Sequence, residues 1–495
     1  MSVDFTLLIP EFLLAGLAIG VLAVDMVLPA RLNHRRNAIA ASMAAVGMLA
    51  VLGYSLVDLR NVGETLYGQI YFVDRYALLF KALFLGTGVA VVLMSVEYVG
   101  KKLQNPGEYY ALLVFSVLGS IMMASAGELL TAYIALELLS FSLYALVGLP
   151  RGDPRSAEAV TKYILLGAVS SAILLYGISL LYGTLGTTFF RFMDSPLAMF
   201  ASQPTVIIGF AMVAAGLAFK LAIVPFHMWT PDAYEGAPTP VTAHLSVLSK
   251  AAAFALALRF FTEATQQSFH SWQMGIAVLA ALTMTVGALV ALTQTNIKRL
   301  LAYSSITQAG FVIVGLVAIG DAIGGGVQNQ AAANAVILHL VGYAFTTLAA
   351  FMVVVTVEAH SGRELIADYA GLARRSPLAA MVMASALLSL AGLPIFAGFV
   401  TKFFLFTAAA EAGLLWLVVV AALASLVSLY YYLRIVRQMY LVKPEGGSAA
   451  IVFPRLSTVT MLGLFGGMVS VGIYPGPLLD AAEAATHVLG PFVSR

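Results

Sequence analysis

Runs of about 20 apolar residues recur along almost the whole chain, and they fix its fold class. In hydrocarbon every backbone N–H and C=O needs an internal partner, so only helices and closed barrels can span a bilayer. A barrel strand alternates polar and apolar residues and gives a far weaker hydropathy signal, which excludes that fold here. The composition agrees: 61% of the 495 residues are apolar and 10% are charged, against roughly 25% charged in a soluble domain. No soluble core could absorb that much apolar surface, so a soluble enzyme is excluded. The expected fold is an all-α polytopic membrane protein.

Fourteen spans are expected, near 5–28, 38–57, 76–97, 108–125, 127–148, 160–184, 204–226, 239–262, 272–293, 300–320, 331–357, 376–407, 411–433 and 453–477. They are called helices 1 to 14 below. The stretch 187–200 reads as a short interfacial piece. No polar linker is long enough to separate domains, so residues 1–495 are read as one membrane domain. The start, Met1 to Phe5, has neither a basic region nor a cleavage motif, and the first apolar run is long enough to span. It is therefore expected to be helix 1 and not a removed signal.

The formal charge is +2, with 26 Lys+Arg and 24 Asp+Glu, which offers no basic field for nucleic acid. Cysteine is absent, so no disulfide, iron–sulfur ligation, zinc–thiolate site or thiol nucleophile is available, and no redox centre is expected in this chain. The histidines do not pair at a haem-ligating spacing. No phosphate loop, dinucleotide glycine motif or Ser-His-Asp arrangement occurs in a plausible context. No cofactor and no metal is expected to be held here.

Basic residues test the count and give an orientation. Loops after odd-numbered helices hold Arg31, Arg35, Arg36, Lys101, Lys102, Arg151, Arg155, Lys298, Arg299, Arg363, Arg374, Arg375, Arg434, Arg437, Lys443 and Arg455, 16 in all. Even loops and the termini hold 5: Arg60, Arg75, Arg191, Arg259 and Arg495. The positive-inside rule then puts odd loops in the cytoplasm and both termini outside.

Five lysines remain, all inside spans: Lys81, Lys162, Lys220, Lys250 and Lys402. Lys81 and Lys162 lie near helix ends, where snorkelling is expected, and Lys162 has Glu158 one turn back. Lys220, Lys250 and Lys402 have no such outlet. Each costs about 2.5–3.5 kcal/mol at the bilayer centre on insertion scales. Such a lysine is either a buried structural pair or a carrier facing a hydrated interior. A desolvated lysine releases its proton more readily than one in water, whereas an arginine keeps its proton. Among the acids, Glu11 and Asp25 fall near the ends of helix 1 and read as interfacial. Glu137 is mid-span in helix 5 and needs a cation, for which Lys220 is the expected partner. His339 lies mid-span in helix 11, His244 starts helix 8 and His227 follows Pro225. Each is a packed core histidine or a proton carrier, with His339 the best placed for a relay.

Two spans are interrupted, helix 7 at Pro225 and helix 12 at Ala391-Gly392-Leu393-Pro394. Broken helices at corresponding positions of two halves point to an inverted-repeat transport site. The expected organisation is helices 1–3 (1–107), a first repeat of helices 4–8 (108–262), a second of helices 9–13 (272–440) and helix 14 (453–477). The repeats share little sequence; Ala215-Gly216-Leu217 recurs as Ala391-Gly392-Leu393, yet the lysines do not align around it.

The stretch from Lys220 through Pro225, Phe226, His227, Met228, Trp229, Thr230, Pro231, Asp232, Ala233, Tyr234, Glu235, Gly236, Ala237 and Pro238 to Val241 resembles the signature of the antiporter-like subunits of respiratory complex I. The block from Asn296 to Gly310, including Lys298, Arg299 and Ser305, is similar to a second block of that family. The resemblance covers nearly the whole chain. Tyr234-Glu235-Gly236-Ala237-Pro238 and a lysine in helix 12, where the M type carries a glutamate, resemble the N type. The L type has a long lateral helix after helix 14, which this sequence does not show.

The resemblance implies a proton-translocating membrane subunit of NADH:quinone oxidoreductase. It implies relay roles for Glu137, Lys220, Lys250 and Lys402, with uptake through the first half, release through the second and Lys250 joining them. The chain would act as part of that enzyme, with NADH, FMN, iron–sulfur clusters and quinone bound by partner subunits. Its partners would be the M-type, small membrane and peripheral subunits and membrane lipid, in a bacterial inner membrane. A subunit of a related cation/proton antiporter or membrane-bound hydrogenase is the alternative within transport. A non-pumping membrane scaffold, and an enzyme with its own quinone or metal site, are the alternatives outside it.

Overall fold

Helix starts are set by prolines and short polar side chains. Pro106, Pro154, Pro204 and Pro377 open helices 4, 6, 7 and 12, where their missing N–H costs no hydrogen bond. Asp74, Glu128, Asp153, Asn296 and Asn329 cap helices 3, 5, 6, 10 and 11 by accepting from free backbone N–H groups. The computed structural model describes residues 5–29, 35–59, 63–320, 328–443, 450–451, 453–489 and 492–493. Of the basic residues used for the orientation, Arg31, Arg60 and Arg495 lie outside these.

Thirteen helices among the described residues are long and apolar enough to span: Phe5–Val27, Arg36–Asp58, Arg75–Lys102, Pro106–Ser125, Leu129–Val147, Pro154–Leu185, Pro204–Leu221, Thr239–Ala264, Phe269–Ala291, Ile297–Val317, Gln330–Ser361, Leu415–Leu441 and Arg455–Ile473. They are helices 1 to 11, 13 and 14. Helix 12 is the fourteenth and is split into Pro377–Ala391 and Ala397–Glu411. The interfacial stretch is a helix, Phe190–Met199, whose buried Phe190, Met193 and Leu197 share one face. A hairpin that the sequence reading did not anticipate pairs Glu64–Leu66 with Tyr71–Val73.

Helix 4 packs on 5, 5 on 6, 6 on 7 and 4 on 8; helix 9 packs on 10, 10 on 11, 11 on 12 and 9 on 13. The two sets of five helices thus repeat the same neighbour pattern. Five spans separate equivalent helices, so the second set runs in the opposite direction through the membrane. Gly177 lets helices 6 and 7 close up: a Cβ there would lie 2.7 Å from the carbonyl oxygen of Gly209. Helices 8, 10 and 11 are buried along almost their whole apolar lengths, whereas helices 1, 6, 13 and 14 expose most of theirs.

The breaks correct the register read from sequence. Helix 7 ends at Leu221, not near 226, with Ala222 in the left-handed region (φ 59°). Helix 12 pauses at Ala391, with Gly392 in the same region (φ 91°). Ile223 N–H donates to the Ala218 carbonyl and Leu393 N–H to the Leu388 carbonyl. The equivalent residues are therefore Ala222 and Gly392. The shared Ala-Gly-Leu triplet is coincidental, since Gly216 lies inside helix 7 against Leu174. In this register Lys220 corresponds to Leu390.

Several charge assignments also change. Lys81 does not snorkel: it is buried and pairs at 2.7 Å with Glu11, which is equally buried and not interfacial. Tyr71 donates to the same carboxylate at 2.8 Å. Arg259 is no loop residue but a fully buried part of helix 8. Lys298 is buried in helix 10 and bonds Glu364 at 2.8 Å. Lys162 stands as read, half-exposed beside Glu158 at 2.7 Å; Asp25, read as interfacial, is as buried as Glu11 and pairs with Arg36 at 2.7 Å.

Candidate functional site: a row of unpaired lysines

Helices 5, 6 and 7 bring Glu137 and Lys220 to one small cavity, about 10 Å³, also lined by Ser140, Tyr144, Ser170 and Ser171. That is close to the space one water molecule occupies. The expected direct contact between the two is not made. The Lys220 ammonium donates to Ser140 Oγ at 2.9 Å, and Ser171 Oγ donates to the Glu137 carboxylate. Ser140 lies one turn past Glu137 on the same helix face, so it meets the lysine first.

Lys250 sits on the most buried helix. The five residues before it, Leu245–Ser249, form a π-helical turn, a feature frequent at functional sites. Its ammonium donates to Ser305 Oγ of helix 10, and Ser305 shares a 3.3 Å hydrogen bond with Tyr234 OH. His227, in the helix 7 break, lies close enough to Lys250 to interact with it electrostatically, and its Nδ1 has no protein partner. Tyr343 of helix 11 stands in the same relation to Tyr234, and its buried OH faces Ser305 and Thr347.

One turn from Tyr343, His339 stacks beside it with ring centroids 6.4 Å apart. Its Nδ1 shares a 3.0 Å bond with Thr401 Oγ1, and its Nε2 has no protein partner. Next along the chain, Lys402 turns back to the break in its own helix. Its ammonium donates to the Leu390 carbonyl at 2.7 Å and to Ser425 Oγ at 3.3 Å, and lies 4.4 Å from the Phe311 ring centroid. Gln308 Nε2 donates to the same carbonyl at 3.0 Å. At the helix 7 break the Phe219 carbonyl, the counterpart of Ser389, accepts from Trp229 Nε1 at 2.9 Å as well as from the Ala222 N–H. Lys402 thus reaches, from beyond its break, the place that Lys220 occupies before its own.

The structure gathers six predicted residues into two groups: Glu137 and Lys220 line one cavity, and His227, Lys250, His339 and Lys402 follow one another through Ser305, Tyr234, Tyr343 and Thr401. The seventh, His244, stands apart: its Nε2 shares a 2.7 Å bond with Ser116 of helix 4. Pro225 and Pro394 lie in the two breaks, beside Lys220 and Lys402. Sequence reading missed the hydroxyl and amide partners Ser140, Ser171, Tyr234, Ser305, Gln308 and Tyr343. A polar side chain every few residues in the stretch from Ser304 to Gln308 was the available signal.

The two sequence blocks meet at the helix ends. Arg299 donates to Asp232 and Glu235, both at 2.8 Å, Lys162 donates to Asp232 at 2.8 Å, and Lys298 donates to the Ala237 carbonyl at 3.0 Å. Burial raises the Asp232 carboxyl, but the Lys162 and Arg299 hydrogen bonds outweigh it and hold the group below its ordinary 3.8. A depressed folded-state value contributes stability that is complete above the unfolded value and lost as pH falls through the folded one. Thermal unfolding of the detergent-solubilised protein from about pH 6 to pH 3 should show that loss, and Asp232→Asn should flatten it. An unchanged acid slope in the variant would remove Asp232 from the network.

The family described as NADH:quinone oxidoreductase/Mrp antiporter, TM, matches residues 126–428. The chain belongs to this family. The NADH:quinone oxidoreductase/Mrp antiporter match contains both breaks and every residue of the row, while helices 1–3 with the Lys81–Glu11 pair fall outside it. The chain is 44% identical to NADH-quinone oxidoreductase subunit N of Desulforamulus reducens, over 98% of this chain and 99% of that one. It is also 44% identical to the subunit N of Moorella thermoacetica, over 96% and 97%. Among solved structures, respiratory complex I from Thermus thermophilus with bound aureothin contains a chain 30% identical, with a TM-score of 0.78, covering 96% of this chain and all of that one. An archaeal membrane-bound sulfane sulfur reductase contains one 25% identical, with a TM-score of 0.84 over 98% of each.

Proposed function

We propose that this chain is a proton-translocating membrane subunit of a bacterial NADH:quinone oxidoreductase, in which Glu137, Lys220, Lys250 and Lys402 carry the proton. One observation carries the reading. Among the described residues, none of the three lysines forms an ion pair, whereas the other buried lysines, Lys81 and Lys298, each hold a carboxylate. A buried ammonium without a counter-ion is expensive to keep charged. Its neighbours here are groups that pass protons: serine and tyrosine hydroxyls and imidazoles with a free nitrogen. Tyr234, Ser305, Tyr343 and His339 would connect Lys250 to Lys402, and His227 would connect Lys220 to Lys250.

The repeats would run over 108–262 and 272–440, taking protons up through the first and releasing them through the second. Both termini would face outward. NADH, FMN, iron–sulfur clusters and quinone would be bound by partner subunits, among them M-type and small membrane subunits. Without native cysteines, single introduced ones report the topology. A cysteine at 371–375 should react only with a reagent on the cytoplasmic side, and one at 63–66 only from outside; labelling of both from one side would overturn the orientation.

The test of function is donor-driven proton uptake into membrane vesicles, normalised to assembled complex. Glu137→Gln and Lys220→Ala should each lower uptake roughly tenfold or more with subunit content unchanged. Wild-type uptake in both would leave the uptake-side cavity as structure alone.

A further inference from the structure

A groove of about 1000 Å³ runs between helices 3 and 11, closed by helix 14 and the helix Gly476–Thr486. It lies outside the proton row. At its mouth is Arg75, the first residue of helix 3, exposed and without a hydrogen-bond or ion-pair partner among the described residues. Ala82, Gly86 and Ala90 follow on the same face at four-residue spacing. They make a channel roughly 22 Å long from Arg75 to Ala90 at 1.5 Å per residue, more than half of a hydrocarbon core about 30 Å thick. A Cβ added at Gly86 would meet nothing within 4 Å, so the floor is open.

We infer that this groove binds one anionic membrane phospholipid, its phosphate accepting hydrogen bonds from the Arg75 guanidinium and an acyl chain lying over Ala82, Gly86 and Ala90. Arg75 starts its helix, at headgroup depth, where a phosphate supplies the partner that the described residues do not. Below it the lining is apolar except for Thr87, and it matches a hydrocarbon tail in length. A transmembrane helix of another subunit would also fit a small-residue stripe, but it would have to bring a carboxylate to Arg75.

The opposite wall gives the site a consequence. At 100° per residue, Val341, Ala344, Phe345 and Leu348 centre about 190° around helix 11 from His339. The lipid therefore backs the helix whose other face carries His339 and Tyr343.

The purified complex, exchanged with phosphatidylglycerol bearing a photoreactive acyl chain, tests this. Illumination should attach the probe to helices 3 and 11 around Gly86 and Phe345. Arg75→Gln should reduce that labelling roughly fivefold, the effect of one basic side chain on an anionic headgroup, and phosphatidylcholine with the same tail should label about as weakly. Gly86→Leu should block tail labelling while the complex stays assembled. Equal labelling by both lipids, insensitive to Arg75→Gln, means bulk lipid and overturns the proposal. Crosslinking of a Gly86→Cys variant to another subunit in place of the lipid overturns it in favour of a protein partner.

Discussion

Lys402→Arg is expected to stop proton uptake almost as completely as Lys402→Ala, by a factor on the order of a hundred. An arginine could satisfy everything the lysine touches, because a guanidinium donates to the Leu390 carbonyl and Ser425 hydroxyl and stacks on Phe311 as well as an ammonium does. It keeps its proton at any physiological pH and so cannot pass one on. A structural cation beside the break predicts rescue by arginine, and a carrier predicts failure. Lys250→Ala should give a similar loss, and the double variant should be little worse than either single one, since groups in series are non-additive. Uptake per assembled complex decides it. Full uptake in Lys402→Arg leaves Lys402 as a charge that braces the break, and additive losses leave two separate routes.

Arg259→Met is expected to destabilise the fold by roughly 3–5 kcal/mol. Arg259 is fully buried, grips both oxygens of Asp74 at 2.9 Å, and lies 3.3 Å from Glu263 and 4.6 Å from the centroid of Phe72. Removing it leaves the buried Asp74 without a cation and Glu263 with only Arg191, 3.6 Å away. Adding Asp74→Asn and Glu263→Gln removes their charges and keeps the helix 3 cap, so the triple variant should recover most of the loss. Denaturant unfolding in detergent measures both. A single variant as stable as wild type would mean that these charges are solvated and contribute nothing.

The cost of burying charge is what made so much of this molecule legible from residues alone. Spans, the two breaks and the row of lysines all follow from where polarity interrupts hydrocarbon. What escaped depended on partners far along the chain. Lys81 looked like a helix-end residue because Glu11 is 70 positions away. Arg259 looked like a loop cation because Asp74, which neutralises it, lies 185 positions away. Glu137 and Lys220 were expected to touch, yet Ser140 stands closer to the lysine, and serine carries no strong signal in an apolar run. The repeat register failed for another reason. Ala222 takes at helix 7 the backbone shape that Gly392 takes at helix 12, so identity between residues misled where conformation agreed.

The Leu390 carbonyl joins Lys402 to Gln308, and it belongs to the main chain. No codon change can delete it, so a substitution scan of every position would leave the acceptor in place and record Leu390 only for its side chain. Heritable variation reaches this oxygen indirectly, through residues such as Gly392 that let the helix stop and leave it free. An amide-to-ester exchange at the 390–391 peptide would delete the Ala391 N–H and weaken the Leu390 carbonyl together, while a thioamide at Leu390 would weaken the acceptor and keep the N–H as a donor. Natural diversity at this site should accordingly concentrate in the donors, with the acceptor passed on unchanged whatever residue stands at 390.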